Sequence, residues 1–350
     1  MDVKQHQRFI IADRSYLNLV KRDITKLAEN YGFSENEIGK INIVVSEMVS
    51  NLVKHTSAGG EVLVKPVGDD LSGIEIISID YGPGMVDPER MMEDGVSTHG
   101  TAGQGLGAII RQSAFFDYYT LPESGTVLLS RIFKQVVDSP FLSKPIPKPE
   151  KLEVGAIMVA KNGETVCGDG WEMAQTETNT YIVAFDGLGH GPDANAASTE
   201  AIKSFKQNLI DSPSNALRQI HADIRRTRGA VGAVCNIHKA TGELDFCGIG
   251  NINGKIFGSN GQKTVSVLKN LVSYNGTLGH NIPNTMHDLR TEIQMGQLLV
   301  LHSDGIKSRW DVTKYPDLHR HDPSLIAAII YRDFNRGTDD VLVIVAKAKS

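Results

Sequence analysis

Asp186 closes the apolar run Tyr181–Phe185 and enters a loop, Gly187-Leu188-Gly189-His190-Gly191, with three glycines in five residues. A carboxylate at a strand end, with backbone free to approach closely, suits a divalent cation held by oxygen ligands. Three more stretches offer aspartate in similar contexts: Asp169 in Cys167-Gly168-Asp169-Gly170, Asp304 in Ser303-Asp304-Gly305, and the pair Asp339-Asp340 before Val341–Val345. Hard carboxylates gathered on strand ends are what a two-metal hydrolytic site requires. Any one Asp-Gly alone reads more simply as a turn. Four such stretches in one half of the chain, each beside an apolar run, favour metal.

A second set of chemically capable residues lies in the other half. Glu47, Asn51 and His55 fall at i, i+4 and i+8 of a helical pattern and so share one stripe. The strand-like run Ile74–Ile79 ends in Asp80-Tyr81-Gly82-Pro83-Gly84, and Gly103-Gln104-Gly105-Leu106-Gly107 opens a further helix. Glycines at a helix start leave N–H groups aimed outward, a ready anion site. The plainer reading of the Glu47 stripe is a solvated helix face. Walker A is absent, because Gly258 to Thr264 lacks the required spacing.

Positioning these residues requires two separate cores, and 350 residues are enough for them. The net charge of −5 and the lack of a polybasic tract give no field for nucleic acid or anionic lipid. No apolar stretch reaches membrane-spanning length, and the N-terminus does not read as a signal peptide. Three cysteines (Cys167, Cys235, Cys247) are too few for a disulfide framework and favour a reducing cytoplasm. None is followed by an arginine-anchored phosphate loop, which speaks against a cysteine phosphatase.

Asp13 to Asn30 carries a helical apolar stripe, and Ser34-Glu35-Asn36-Glu37 is a capping box for a second helix through Leu52. Strand-like segments follow at 61–67, 74–79, 116–121 and 126–133. Pro140, Pro145, Pro147 and Pro149 make residues 136–151 an extended spacer between domains 1–135 and 152–350. Beyond it, strand-like runs at 154–160, 181–185, 230–237, 243–247, 297–302 and 341–346 alternate with helices from Pro192, Pro213 and Pro323. That pattern predicts a two-sheet β core covered by helices.

The ordered trio of Glu47-x-x-x-Asn51, Asp80-x-Gly82-x-Gly84 and the Gly103–Gly107 run resembles the GHKL ATPase superfamily, and its bacterial anti-sigma-factor serine kinases in particular, over residues 8–133. The resemblance implies that Asn51 helps hold Mg²⁺ on ATP and that Asp80 accepts from the adenine amino group. Gly82 and Gly84 would make room for the base, and Gly103, Gly105, Leu106 and Gly107 would cradle phosphate. Thr126 and His55 would complete the nucleotide site, and Glu47 would be the base that activates a substrate serine. For His55 a helix-end histidine without a chemical role is an equal reading.

The second half, residues 152–348, is similar to the metal-dependent protein phosphatase (PPM) family in its SpoIIE-like branch. Asp169, the Asp186 loop, Gly248-Ile249-Gly250-Asn251, Gly276–Gly279, Ser303-Asp304-Gly305 and Asp339-Asp340 occur in that family's order. This implies that Asp186 bridges two Mn²⁺ or Mg²⁺ ions and that Gly187 contributes its carbonyl. Asp304 and Asp339 would ligate one metal, with Asp169 completing the site and Asp340 behind it. His190 would be an acid for the leaving serine, against the blander reading of an exposed loop histidine. Asp169 is followed by Gly170-Trp171 where much of the branch has an aromatic-x-Asp run, which bears on the second metal.

Together the resemblances imply an α+β chain of two domains, a GHKL-type α/β sandwich followed by a PPM-type β-sandwich flanked by helices. They imply a cytoplasmic, bifunctional partner-switching regulator that removes phosphate from a STAS-domain protein and uses ATP to phosphorylate serine, with a sigma factor as its output. Two other readings stand beside this one. The first half could be a nucleotide or partner sensor without kinase activity, or the chain could sequester a STAS partner or sigma factor.

Overall fold

The computed structural model describes residues 4–56, 59–68, 71–85, 87–88, 105–135, 152–259 and 261–349. The chain divides into two compact units, His6–Lys148 and Pro149–Ser350, the latter including Met1–Gln5. The Pro-rich segment 136–151 lies outside the described residues.

The first unit is one antiparallel sheet with helices on a single face. Strand β1 (Gln7–Ile11), helices α1 (Tyr16–Asn30) and α2 (Glu35–His55), strands β2 (Gly60–Val67) and β3 (Gly73–Asp80), helix α3 (Gly105–Gln112) and strands β4 (Phe115–Thr120) and β5 (Thr126–Phe133) follow in chain order. The sheet order is β1-β2-β3-β5-β4. Val20, Ile24, Ile41, Val45, Met48 and Leu52 bury one stripe of α1 and α2 against Val62, Val64, Ile74 and Ile76 of the sheet.

Helix α2 starts where the sequence places its cap. Ser34 Oγ accepts from Glu37 N at 3.4 Å, and Ser34 N donates to Glu37 Oε2 at 2.7 Å. Two N-terminal donors are thereby satisfied reciprocally. Ser34→Ala is expected to lower the stability of this unit by about 1 kcal/mol, read from its denaturant midpoint.

The second unit is a sandwich of two five-stranded antiparallel sheets. Its strands are β6 (Leu152–Val159), β7 (Asp169–Gln175), β8 (Asn179–Gly187), β9 (Ala230–His238), β10 (Glu243–Ile249), β11 (Asn253–Gly258), β12 (Ser266–Leu271), β13 (Leu289–Glu292), β14 (Leu298–His302) and β15 (Val341–Ala348). One sheet runs β13-β10-β9-β8-β7, the other β12-β11-β14-β15-β6. Ile182, Ala184, Ala233 and Cys235 from the first meet Met158, Leu299, Leu301, Leu342 and Ile344 from the second in the central core.

Helices α4 (Pro192–Gln207) and α5 (Pro213–Asp223) cover the outer face of the first sheet through Ala201, Phe205, Leu217 and Ile220. Helix α6 (Pro323–Phe334) packs on β6 and β15 of the second. The helix-flanked two-sheet core expected from the sequence is therefore the observed fold. All three cysteines are buried and free. Among the described residues, no helix is long and apolar enough to cross a membrane.

Candidate functional site

Four strand ends, two from each sheet of the sandwich, deliver the aspartates. Asp169 opens β7 and Asp186 stands one residue before the end of β8, and the two are direct cross-strand partners. Asp304 lies two residues past β14, and Asp339-Asp340 immediately precede β15, the strand that pairs with β14. An antiparallel partner begins where its neighbour stops, so each pair of aspartates shares one end of its sheet.

Hydrogen bonds sew these ends together. Ser303 Oγ donates to Asp169 Oδ2 at 2.7 Å and accepts from Leu342 N at 2.9 Å. Asp340 spends both carboxylate oxygens on backbone donors, Lys161 N at 2.8 Å and Gly168 N at 2.9 Å. Asn251 Nδ2 donates to Asp304 Oδ2 at 2.8 Å, and Arg336 Nη1 donates to the Asp304 carbonyl at 2.9 Å. Under Ser303, the buried His302 donates from Nδ1 to the Ser303 carbonyl at 2.8 Å and accepts from Trp310 Nε1 at 2.7 Å. Burial brings His302 down to about 4, so its imidazole is a neutral strut.

The electrostatics are those of crowded carboxylates. Burial, then repulsion from Asp304, Asp339 and Asp340, pushes Asp186 up to about 8. Burial and Asp186 raise Asp169 well above the carboxylate range. Burial and Asp339 raise Asp304, although Arg336 and the Asn251 bond oppose them. Asp169 Oδ1 is buried with no hydrogen-bond partner. Buried acids crowded on adjoining strand ends, with one oxygen left unsatisfied, are a donor set whose chemistry fits a hard cation.

The remaining expected residues of this half sit nearby in sequence. Gly187 ends β8 opposite Ala230, with its N–H on the Gly168 carbonyl at 3.2 Å. His190 is exposed on the loop before α4, its Nδ1 2.6 Å from Glu164 Oε1. Glu164 and Arg336 carried no signal in the sequence. Ser303 and Asn251 stood inside the quoted motifs without a role.

In the first unit, α2 carries Glu47, Asn51 and His55 along one stripe. A Cβ built on Gly105, the first residue of α3, would lie 3.0 Å from Glu47 Oε2 and 3.7 Å from Asn51 Oδ1. The start of α3 therefore lies against the Glu47–Asn51 turn of α2. Leu106 is half-buried on the core and Gly107 is buried. Asp80 Oδ1 accepts from Gly82 N at 2.8 Å, and Gly82 sits under the carbonyl of His55.

Gly84, at φ +70°, passes so close to the Leu121 carbonyl that a Cβ would stand 2.1 Å from its oxygen. The buried Thr126 lies with its hydroxyl 3.1 Å from that of Thr120, which also accepts from Met85 N at 2.9 Å. Asp80, Gly82, Gly84 and Thr126 thus meet at one end of the sheet, beside the His55 end of α2. Gly103 lies outside the described residues.

Residues 10–130 match the histidine kinase-like ATPase domain family, and residues 176–349 match the stage II sporulation protein E (SpoIIE) family. Serine/threonine-protein kinase RsbT of Bacillus subtilis (strain 168) is 32% identical over 101 residues, 29% of this chain and 75% of RsbT. The chain joins a histidine kinase-like ATPase domain to a SpoIIE phosphatase domain. Phosphoserine phosphatase RsbX of the same organism is 21% identical over 177 residues, half of this chain and 82% of RsbX. A solved structure from work on the bacterial stressosome, described as a modular system adapted to control secondary messenger signalling, aligns at a TM-score of 0.50 with 33% identity, covering 57% of this chain and all of that one. The SpoIIE domain is of the PPM serine/threonine phosphatase type, and the ATPase domain is related to the RsbT kinase.

Proposed function

We propose that the SpoIIE domain removes phosphate from phosphoserine or phosphothreonine on a STAS-type protein, and that the ATPase domain binds Mg²⁺–ATP and phosphorylates serine. The chain would then act as a bifunctional switch in a cytoplasmic partner-switching circuit, with a sigma factor as a downstream output. One observation carries the phosphatase half: the Asp169–Asp186 cross-strand pair, both raised by burial and by neighbouring carboxylates, with Asp169 Oδ1 buried and unpartnered.

In this reading Asp186, the Gly187 carbonyl, Asp169, Asp304 and Asp339 would hold the two ions. Two Mn²⁺ or Mg²⁺ ions, when bound, supply an acidified water and neutralise the phosphoryl oxygens. The chain's part is to hold the carboxylates on rigid strand ends, through Ser303 on Asp169, Asn251 and Arg336 on Asp304, and backbone donors on Asp340. His190 would protonate the departing serine oxygen.

Ser303→Ala is expected to release Asp169 and weaken Mn²⁺ binding by about 10–100-fold, measured by titration of the metal. The activity itself is tested with a STAS-domain protein phosphorylated on serine. Phosphate should leave with Mn²⁺ present and stay when the metal is chelated; retention of phosphate with Mn²⁺ present would overturn the reading.

The kinase half rests on Glu47, Asn51 and the start of α3 lying together in a domain related to RsbT. Asn51 would hold the Mg²⁺ of the nucleotide, and Asp80 the adenine amino group. Gly82, Gly84 and Thr126 would line the base pocket with His55 at its edge. Gly105, Leu106 and Gly107 would face the phosphates, and Glu47 would accept the serine proton.

A further inference from the structure

His190 and Glu164 are 26 residues apart, yet Nδ1 of the imidazole lies 2.6 Å from Oε1 of the carboxylate. The contact is built from both sides. Glu164 N donates to the Lys161 carbonyl at 3.0 Å, closing a turn whose Lys161 N–H is itself held by Asp340 at 2.8 Å. Opposite, Gly191 at φ +74° gives the carboxylate its room, since a Cβ there would stand 2.7 Å from Glu164 Oε2. Asp340 thus anchors the Glu164 turn to the same strand ends that carry the aspartates. The pair is only partly exposed on the Glu164 side, 26% against 46% for His190.

We propose that Glu164 is a positioning residue that fixes His190 as the acid for the leaving serine, an inference that rests on the phosphatase reading above. With Nδ1–H committed to Glu164, Nε2 is the nitrogen left to face a substrate. As a water oxygen bonds to phosphorus, the bond from phosphorus to serine Oγ breaks and its electron pair stays on Oγ. That oxygen takes the Nε2 proton, leaving a neutral imidazole that recovers a proton from solvent, while the proton of the attacking water is released. The Glu164 carboxylate holds the ring in place through the step.

A serine alkoxide is far more basic than p-nitrophenolate, so an acid matters more for a phosphoserine peptide than for p-nitrophenyl phosphate. The experiment compares kcat on the two substrates with Mn²⁺ for wild type, Glu164→Gln, His190→Ala and the double variant. The loss in Glu164→Gln should be roughly 10-fold greater on the phosphoserine peptide, and the double variant should be no slower than His190→Ala. Equal losses on both substrates, or losses that multiply in the double variant, would mean an ordinary surface ion pair and overturn the proposal.

Should Glu164→Gln not fold, Glu164→Asp, which keeps the charge and shortens the reach, must show the same substrate-selective loss. A wild-type protein without Mn²⁺-dependent turnover on either substrate would instead overturn the phosphatase reading itself.

Discussion

Asp186→Asn is expected to abolish metal-dependent release of phosphate and, at the same time, to stabilise the metal-free protein. The first effect follows from its place on β8 opposite Asp169, where it would bridge both ions. Losing that bridge should slow turnover on the order of 10³-fold, about 4 kcal/mol of transition-state stabilisation. The second effect follows from charge. Asp186 is pushed up to about 8 by burial and by Asp304, Asp339 and Asp340, against about 4 in an unfolded chain.

Between those two values the folded state keeps a proton that the unfolded state has lost. The stability that Asp186 contributes is therefore fully present below about pH 4 and declines as the pH rises through about 8. Asparagine keeps the shape, can donate to Asp169, and has no charge to desolvate. At pH 8 the gain should be about 1–3 kcal/mol, or about 2–4 °C in the melting of this domain per kcal/mol. At pH 5 it should be smaller. Thermal melts of both proteins under chelation, at the two pH values, check the sign. A variant less stable than wild type at pH 8 would mean the carboxylates do not repel one another as the geometry requires.

Glu47→Ala should reduce ATP-dependent phosphorylation of a STAS-domain protein by about 10²–10⁴-fold, the range for loss of a general base. Nucleotide affinity should change little, because Asn51, Asp80 and the start of α3 keep their places. The comparison of phosphoryl transfer with nucleotide binding separates a kinase from a domain that only senses ATP. Equal phosphorylation by the variant would remove Glu47 from the chemistry.

Much of this was legible in the sequence because local rules and global fold agree. The Ser34–Glu37 box marked the start of α2, and its 3.6-residue period put Glu47, Asn51 and His55 on one stripe. The aspartates stood out because each interrupts or adjoins an apolar strand. The strands missed were β1, β7, β11, β12 and β13, each short or at a sheet edge. β1 is a short edge strand ahead of α1, and β12 exposes nearly every residue at the edge of its sheet, so neither shows a clean alternation. β7 was hidden behind the Gly168-Asp169-Gly170 turn signal, yet it begins at Asp169 itself.

The supporting contacts were illegible for a different reason. Ser303 reaches Asp169 across 134 positions and Glu164 reaches His190 across 26, and no local periodicity encodes a pairing that only the strand-end geometry creates.

The most direct measurement is a Mn²⁺ titration of the nucleotide-free protein, followed by electron paramagnetic resonance at pH 8 and pH 5. Bound Mn²⁺ at pH 8 that weakens at pH 5, where Asp186 holds its proton, and that is lost in Asp186→Asn is the predicted result. Equal Mn²⁺ binding by wild type and variant, or none by the wild type at either pH, would contradict a metal site on these strand ends.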